Sequence, residues 1–204
     1  MAGEEQFRAL TDEDQDEEFA PPKAIEELGI LVLDGSASMR DEEQASGKPK
    51  AEAVEKHLIK DKNSLLARLK GGSRRHEILL ALVTFDDTAE KLYDPTELAQ
   101  LTSDDLTLNL VQKHGGTTAI GRALKMARDI AQQFLAGEQR VPRLVTILLM
   151  SDGAENQNTD PLGIARQIHR DAKRKQIHER FTQRPDITIA TAAYGDDADE
   201  NTLR

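Results

Sequence analysis

The chain has no cysteine, which excludes a disulfide framework and any thiolate metal site. It has no long apolar run. The longest lies in LVTILLM, residues 144–150, far short of the roughly 20 residues that cross a bilayer. Its opening MAGEEQF offers neither a basic n-region nor an apolar h-region. A reducing, cytoplasmic setting and no membrane partner are therefore expected. Basic charge is in deficit, with a formal net charge of −10. The body of the chain carries no excess of lysine and arginine, so no nucleic-acid partner is expected. The five histidines (His57, His76, His114, His169 and His178) share no ligand spacing, and none is assigned to a metal.

The 204 residues suffice for one domain with a real core and some polar length besides. The acidity is local. Residues 1–27 hold ten acids against two bases, whereas the rest is nearly balanced at 27 against 25. The stretch TDEDQDEEFAPPK (Thr11 to Lys23) is dense in charge, poor in apolar residues and carries a Pro-Pro pair. Residues 1–26 are read as an acidic, poorly ordered arm and 27–204 as the folded domain.

Strand-like and helix-like segments then alternate. Apolar strands are expected over Leu28–Asp34, Glu77–Asp87, Arg143–Gly153 and Asp186–Gly195. A short edge strand over Thr88–Tyr93 closes at Asp94-Pro95. Helices are expected over Gly47–Gly72, Thr118–Gly137 and Pro161 to about Arg180, with a weakly periodic turn or helix in DDLTLNLVQK. Near-continuous apolar strands separated by helices imply an α/β fold: a Rossmann-like, open, mostly parallel sheet of about six strands with one short antiparallel edge strand, covered by helices on both faces. Ligands of such sheets sit beyond the carboxyl ends of the strands, at the topological switch point.

Those ends carry oxygen. Asp34, Ser36 and Ser38 follow the first strand in DGSAS, and their alternate spacing lets all three face one point. Asp152 follows a later strand in SDG, and HGGTTAIG places Thr117 and Thr118 at the start of the central helix. Two carboxylates and several hydroxyls suit a hard divalent cation, Mg²⁺ or Mn²⁺, rather than zinc. Singly, each motif is equally a helix cap or a turn. Their joint occurrence at strand ends, in this chain order, points to a site.

The pattern DxSxS, a threonine before a helix, and an aspartate after a later strand resembles the metal-ion-dependent adhesion site of von Willebrand factor type A domains. The matches are DGSAS (34–38), GGTTAIGRAL (115–124) and SDG (151–153). LVTFDDTAEKL (82–92) and ATAAYGDDADENTLR (190–204) look like the family's second strand with edge hairpin and its last strand, so the resemblance covers about residues 28–204. Only Thr118 keeps the family's register with Gly121, so the threonine role falls to it. The resemblance implies an intracellular, bacterial-type member. Ser36, Ser38 and Thr118 would contact Mg²⁺ or Mn²⁺ (or Ca²⁺) directly, with Asp34 and Asp152 acting partly through water. Such a site leaves the dication underneutralised, and the implied partner is a protein presenting a glutamate or aspartate. The implied function is a metal-dependent protein-binding module, not an enzyme, alone or as an adaptor in a larger ATPase or signalling assembly. The chain departs from the pattern in its long acidic loop Met39–Lys50, in its acidic arm, and in a last helix barely begun at Arg204, the expected mark of a boundary.

An alternative class is a Mg²⁺-dependent phosphoryl-transfer enzyme on a related sheet. That chemistry wants a second carboxylate two residues after the first. Position 36 is serine, and the only lysines near the strand ends are the loop residues Lys48 and Lys50. KGGSRR and HGGTTAIG lack phosphate-loop spacing. Residues 166–184 hold seven bases and two acids. They are read as a solvated helix face, or more sharply as a docking surface for an acidic partner such as the chain's own arm. The arm's Glu17 and Glu18 could also reach the metal of their own or a neighbouring domain, giving self-association and a built-in competitor.

Overall fold

The computed structural model describes residues 25–43, 47–60, 64–71, 78–102, 105, 108–110, 115–136, 141–153, 155–174 and 187–194. The acidic arm before residue 25, His114, the basic stretch beyond 174 and the start of a last helix lie outside them.

Strand β1 (Glu26–Asp34) is central and starts one residue inside the expected arm. Glu26 N–H donates to Pro142 O at 3.0 Å, and its carboxylate pairs with Arg143. Two short strands, β2 (Glu42–Glu43) and β3 (Lys48–Pro49), form an antiparallel ribbon beyond it. Helix α1 (Lys50–Glu55) runs into a π turn over Lys56–Lys60, and α2 covers Leu65–Gly71. Then follow β4 (Ile78–Phe85), β5 (Ala89–Glu97), α3 (Ile120–Ala136), β6 (Arg143–Ser151), α4 (Pro161–Arg174) and β7 (Ile187–Ala193).

The main sheet has five strands in the order β5-β4-β1-β6-β7, parallel except for β5, with the ribbon separate. Its inner strands β1, β4 and β6 are largely apolar on both faces because both are covered, whereas the edge strands β5 and β7 are mostly half-buried or exposed. Leu28, Ile30 and Val32 face one core with Val83, Ile147, α3 and α4, whereas Leu31 and Leu33 face another with Leu82, Met39, α1 and α2. The chain thus leaves β1 over one face and β6 over the other. The carboxyl ends of these adjacent strands therefore open the switch-point crevice.

Two expectations change. The single helix over 47–72 is instead the ribbon strand, a short α-helix, a π turn and a second helix. Lys48 and Pro49, read as its opening, pair with Glu42 and Glu43. The edge strand does not close at Asp94-Pro95 but runs to Glu97. Pairing shifts by one residue between Leu80↔Thr96 and Leu82↔Tyr93, so a bulge at Asp94 and Pro95 absorbs the missing N–H on an edge where it is tolerated.

Candidate metal centre

Asp34 ends β1, where the ladder with β4 still holds: Gly35 N–H donates to Phe85 O at 2.7 Å. The next residues turn into a 3₁₀ turn, Ala37–Arg40. Asp34 Oδ1 accepts the Ser36 N–H at 2.8 Å, and Ser36 Oγ and Ser38 Oγ lie 3.2 Å apart. Asp34 and Ser36 are buried, and Ser38 is half-buried. The alternate spacing does gather the three.

On β6 the last residue is Ser151, whose hydroxyl donates to Asp34 Oδ2 and accepts the Gly153 N–H at 3.0 Å. Gly153 has φ 85, the left-handed conformation glycine allows, and it turns the chain away just past Asp152. Asp152 is buried and close enough to Asp34 for the two charges to repel. Burial pushes the Asp34 carboxyl up to about 6. Hydrogen bonds from Ser151 and Ser36 work against the rise and the Asp152 charge adds to it. Asp152 Oδ2 lies 3.5 Å from the Lys50 ammonium, and both side chains are almost fully buried. Asp152 Oδ1 is buried with no hydrogen-bond partner.

The segment that carries Thr118 is tied to the serine loop through the backbone. Ala37 N–H donates to Gly116 O at 2.9 Å, tying the serine loop to the segment before α3. Ala119 N–H donates to Asp86 O at 2.8 Å and Gly116 N–H to Asp86 Oδ2 at 3.4 Å, fixing that segment to the end of β4. Burial acts to raise the Asp86 carboxyl, but hydrogen bonds from Thr88 and Gly116, with help from Asp87, outweigh it and hold it at about 2. Thr118 itself is buried. Its N–H donates to Asn156 Oδ1 at 2.7 Å, and its carbonyl accepts the Asn156 N–H at 3.2 Å.

The sequence assigns no role to Ser151 or Asn156 and marks Lys50 only as a loop lysine. Ser151 stood inside the quoted SDG motif, and the parallel β1–β6 register, which pairs Leu33 with Met150, sets it beside Asp34. Asn156 and Lys50 reach the site through loop geometry that no spacing rule encodes.

Among the described residues, no three histidine, cysteine, aspartate or glutamate side chains gather around a point. The candidate donors are the Asp34 and Asp152 carboxylates and the hydroxyls of Ser36, Ser38 and Thr118. They fit a hard dication on two grounds: every donor is oxygen, and one buried carboxylate oxygen has nothing to bind.

Among solved structures, manganese-loaded TRAP protein of Plasmodium vivax matches at 15% identity and TM-score 0.55, covering 90% of this chain and 63% of that one. BatB of Bacteroides thetaiotaomicron matches at 16% and 0.54, covering 81% and 65%. The PilB minor pilin of Streptococcus sanguinis matches at 19% and 0.51, covering 67% and 31%. These likenesses establish the fold, and the chain spans less than two thirds of each of these proteins. No curated protein matches. The family model for the von Willebrand factor type A domain matches residues 30–155, more than half the chain and all three strand-end motifs. The chain belongs to the von Willebrand factor type A domain family.

Proposed function

We propose that this domain binds a partner protein through a divalent cation and is not an enzyme. Asp34, Ser36, Ser38, Thr118 and Asp152 would hold the cation, Mg²⁺ or Mn²⁺, with Ca²⁺ within the same oxygen chemistry. The observation that carries this reading is the unpartnered Asp152 Oδ1, buried beside a second buried carboxylate. A buried acceptor without a donor is costly, and so are two like charges out of water. A dication answers both deficits. When bound it supplies a Lewis-acid position for an external carboxylate. The serines contribute no formal charge, so the protein leaves part of the cation's charge for a glutamate or aspartate of the partner. The manganese in the TRAP structure supports the choice of metal. An adaptor role in a larger ATPase or signalling assembly is compatible with a module of this kind.

Calorimetric titration with Mn²⁺ and Mg²⁺ tests the reading. One site per chain is expected, lost in Asp34→Ala and weakened in Ser38→Ala. A folded wild type that takes up neither ion overturns it. Partner capture that persists in EDTA would separate protein binding from the metal.

Lys50 beside Asp152 is the one feature in favour of a phosphoryl-transfer enzyme, since an ammonium there could face a phosphate. Ser36, in place of the second carboxylate, argues against it. Turnover of p-nitrophenyl phosphate with added Mg²⁺ would establish that alternative.

A further inference from the structure

Lys50 is the first residue of α1, and its placement is built rather than incidental. The β2–β3 ribbon folds the acidic loop back on itself, and Lys50 N–H donates to Asp41 O at 3.0 Å. From there the side chain runs inward, 3% exposed, to its 3.5 Å pairing with Asp152 Oδ2. Burying an ammonium is costly unless a charge compensates it, and a neutral side chain would fill the same space without that cost. What the position supplies is positive charge.

Resting on the metal-site reading above, we propose that Lys50 is a resident cation of the site that sets how tightly a divalent ion is held and how much charge that ion presents outward. Asp34 and Asp152 bring two negative charges and Lys50 one positive. The metal-free site then carries a net −1, and a dication turns it to +1. Without Lys50 the same site would pass from −2 to neutral. Lys50 therefore weakens cation uptake while leaving the loaded site in positive excess toward an anionic ligand. It also neutralises part of the acidic pair when no ion is bound, which keeps the empty site folded. The unpartnered Asp152 Oδ1 remains available, because the ammonium pairs with Oδ2.

The test is Mn²⁺ calorimetry on wild type, Lys50→Met and Lys50→Gln, with each variant's melting temperature measured in EDTA. Both variants are expected to bind Mn²⁺ roughly tenfold more tightly, a gain of about 1.4 kcal/mol. Their melting temperatures in EDTA should fall and be recovered by Mn²⁺. Equal affinity in wild type and variants overturns the Lys50 inference and leaves the metal site standing. No uptake by any of the three overturns both. Should neither variant fold, lysine ¹³Cε resonances of wild type titrated with Mg²⁺ decide. The inference requires one solvent-shielded lysine signal to move with site occupancy, and no such movement overturns it.

Discussion

Asp34 sits with its carboxyl pushed to about 6 because burial strips water from it, while one amide and two hydroxyls return only part of what water gave. For an acid this direction makes the ionised form a burden on the fold. The penalty is absent below the ordinary value of 3.8, grows between 3.8 and about 6, and is complete above that. Replacing the charge with an isosteric amide should therefore stabilise the metal-free protein. Asp34→Asn is expected to gain up to about 3 kcal/mol at pH 7.5 in EDTA. The gain should shrink as pH falls through 6 and vanish near 4, read by urea unfolding of both proteins at each pH. The same variant should lose Mn²⁺ binding. A wild type more stable than the variant at pH 7.5 in EDTA would show that Asp34 is held for its hydrogen bonds rather than spared for a cation. A buried charge that costs stability is a usual mark of a functional position.

At the level of elements, the segment between β6 and α4 clamps the start of α3. Asn156 grips Thr118 by both backbone groups, and Thr159 Oγ1 accepts the Gly121 N–H at 2.9 Å. Gly121 is needed there for closeness, since a Cβ on it would lie 2.1 Å from the Thr159 carbonyl oxygen. Gly121→Ala must push the backbone of this segment away, at about 1–3 kcal/mol. That corresponds to a fall of roughly 2–4 °C in melting temperature per kcal/mol for a domain of this size. Asn156→Ala leaves the helix in place but frees Thr118, so its melting point should change less while Mn²⁺ affinity drops. Equal affinity in Asn156→Ala and wild type would mean that Thr118 is positioned by the bonds its neighbours Gly116 and Ala119 make to Asp86. This clamp also marks the limit of what the sequence discloses. The strands are legible because their apolar runs are long and bounded, and Asp34, Ser36 and Ser38 are legible because period two is a property of extended chain. The register of Thr118 with Gly121 was readable as a pattern, but its reason, the approach of Thr159, was not. Lys50 was legible only as a loop lysine. Its direction depends on a two-residue ribbon and on a helix that breaks into a π turn, features with no periodicity of their own.

Across the whole molecule, the two cores fix β1 from both sides, so the crevice between its end and that of β6 belongs to the most constrained part of the sheet. Helix α4 contributes to this packing through its inner face. Its Asp171 accepts Arg128 and Gln132 from α3 at 2.7 and 2.9 Å, and Ile168 and Ala172 are buried, leaving Arg166 and Arg170 on the outer face. The exposure of Arg166, His169 and Arg170 agrees equally with a solvated face and with a docking surface for an acidic partner. A site so tied to the global fold should report its occupancy as global stability. A ligand held only by the folded state stabilises by mass action, about 2.7 kcal/mol at a hundredfold excess over Kd. For a single domain of this size that is a rise of roughly 5–10 °C. Scanning calorimetry across Mg²⁺ or Mn²⁺ concentrations should show the melting temperature climbing steadily with the logarithm of free ion, and Ser38→Ala should displace the curve to higher concentration. The eight acids of residues 1–24 are a rival sink for cations. Ions that bound these acids equally in the folded and the unfolded chain would not raise the melting temperature. Deleting residues 1–24 should accordingly leave the slope unchanged, and a slope that disappears with them would show that the arm itself helps to hold the cation in the folded state.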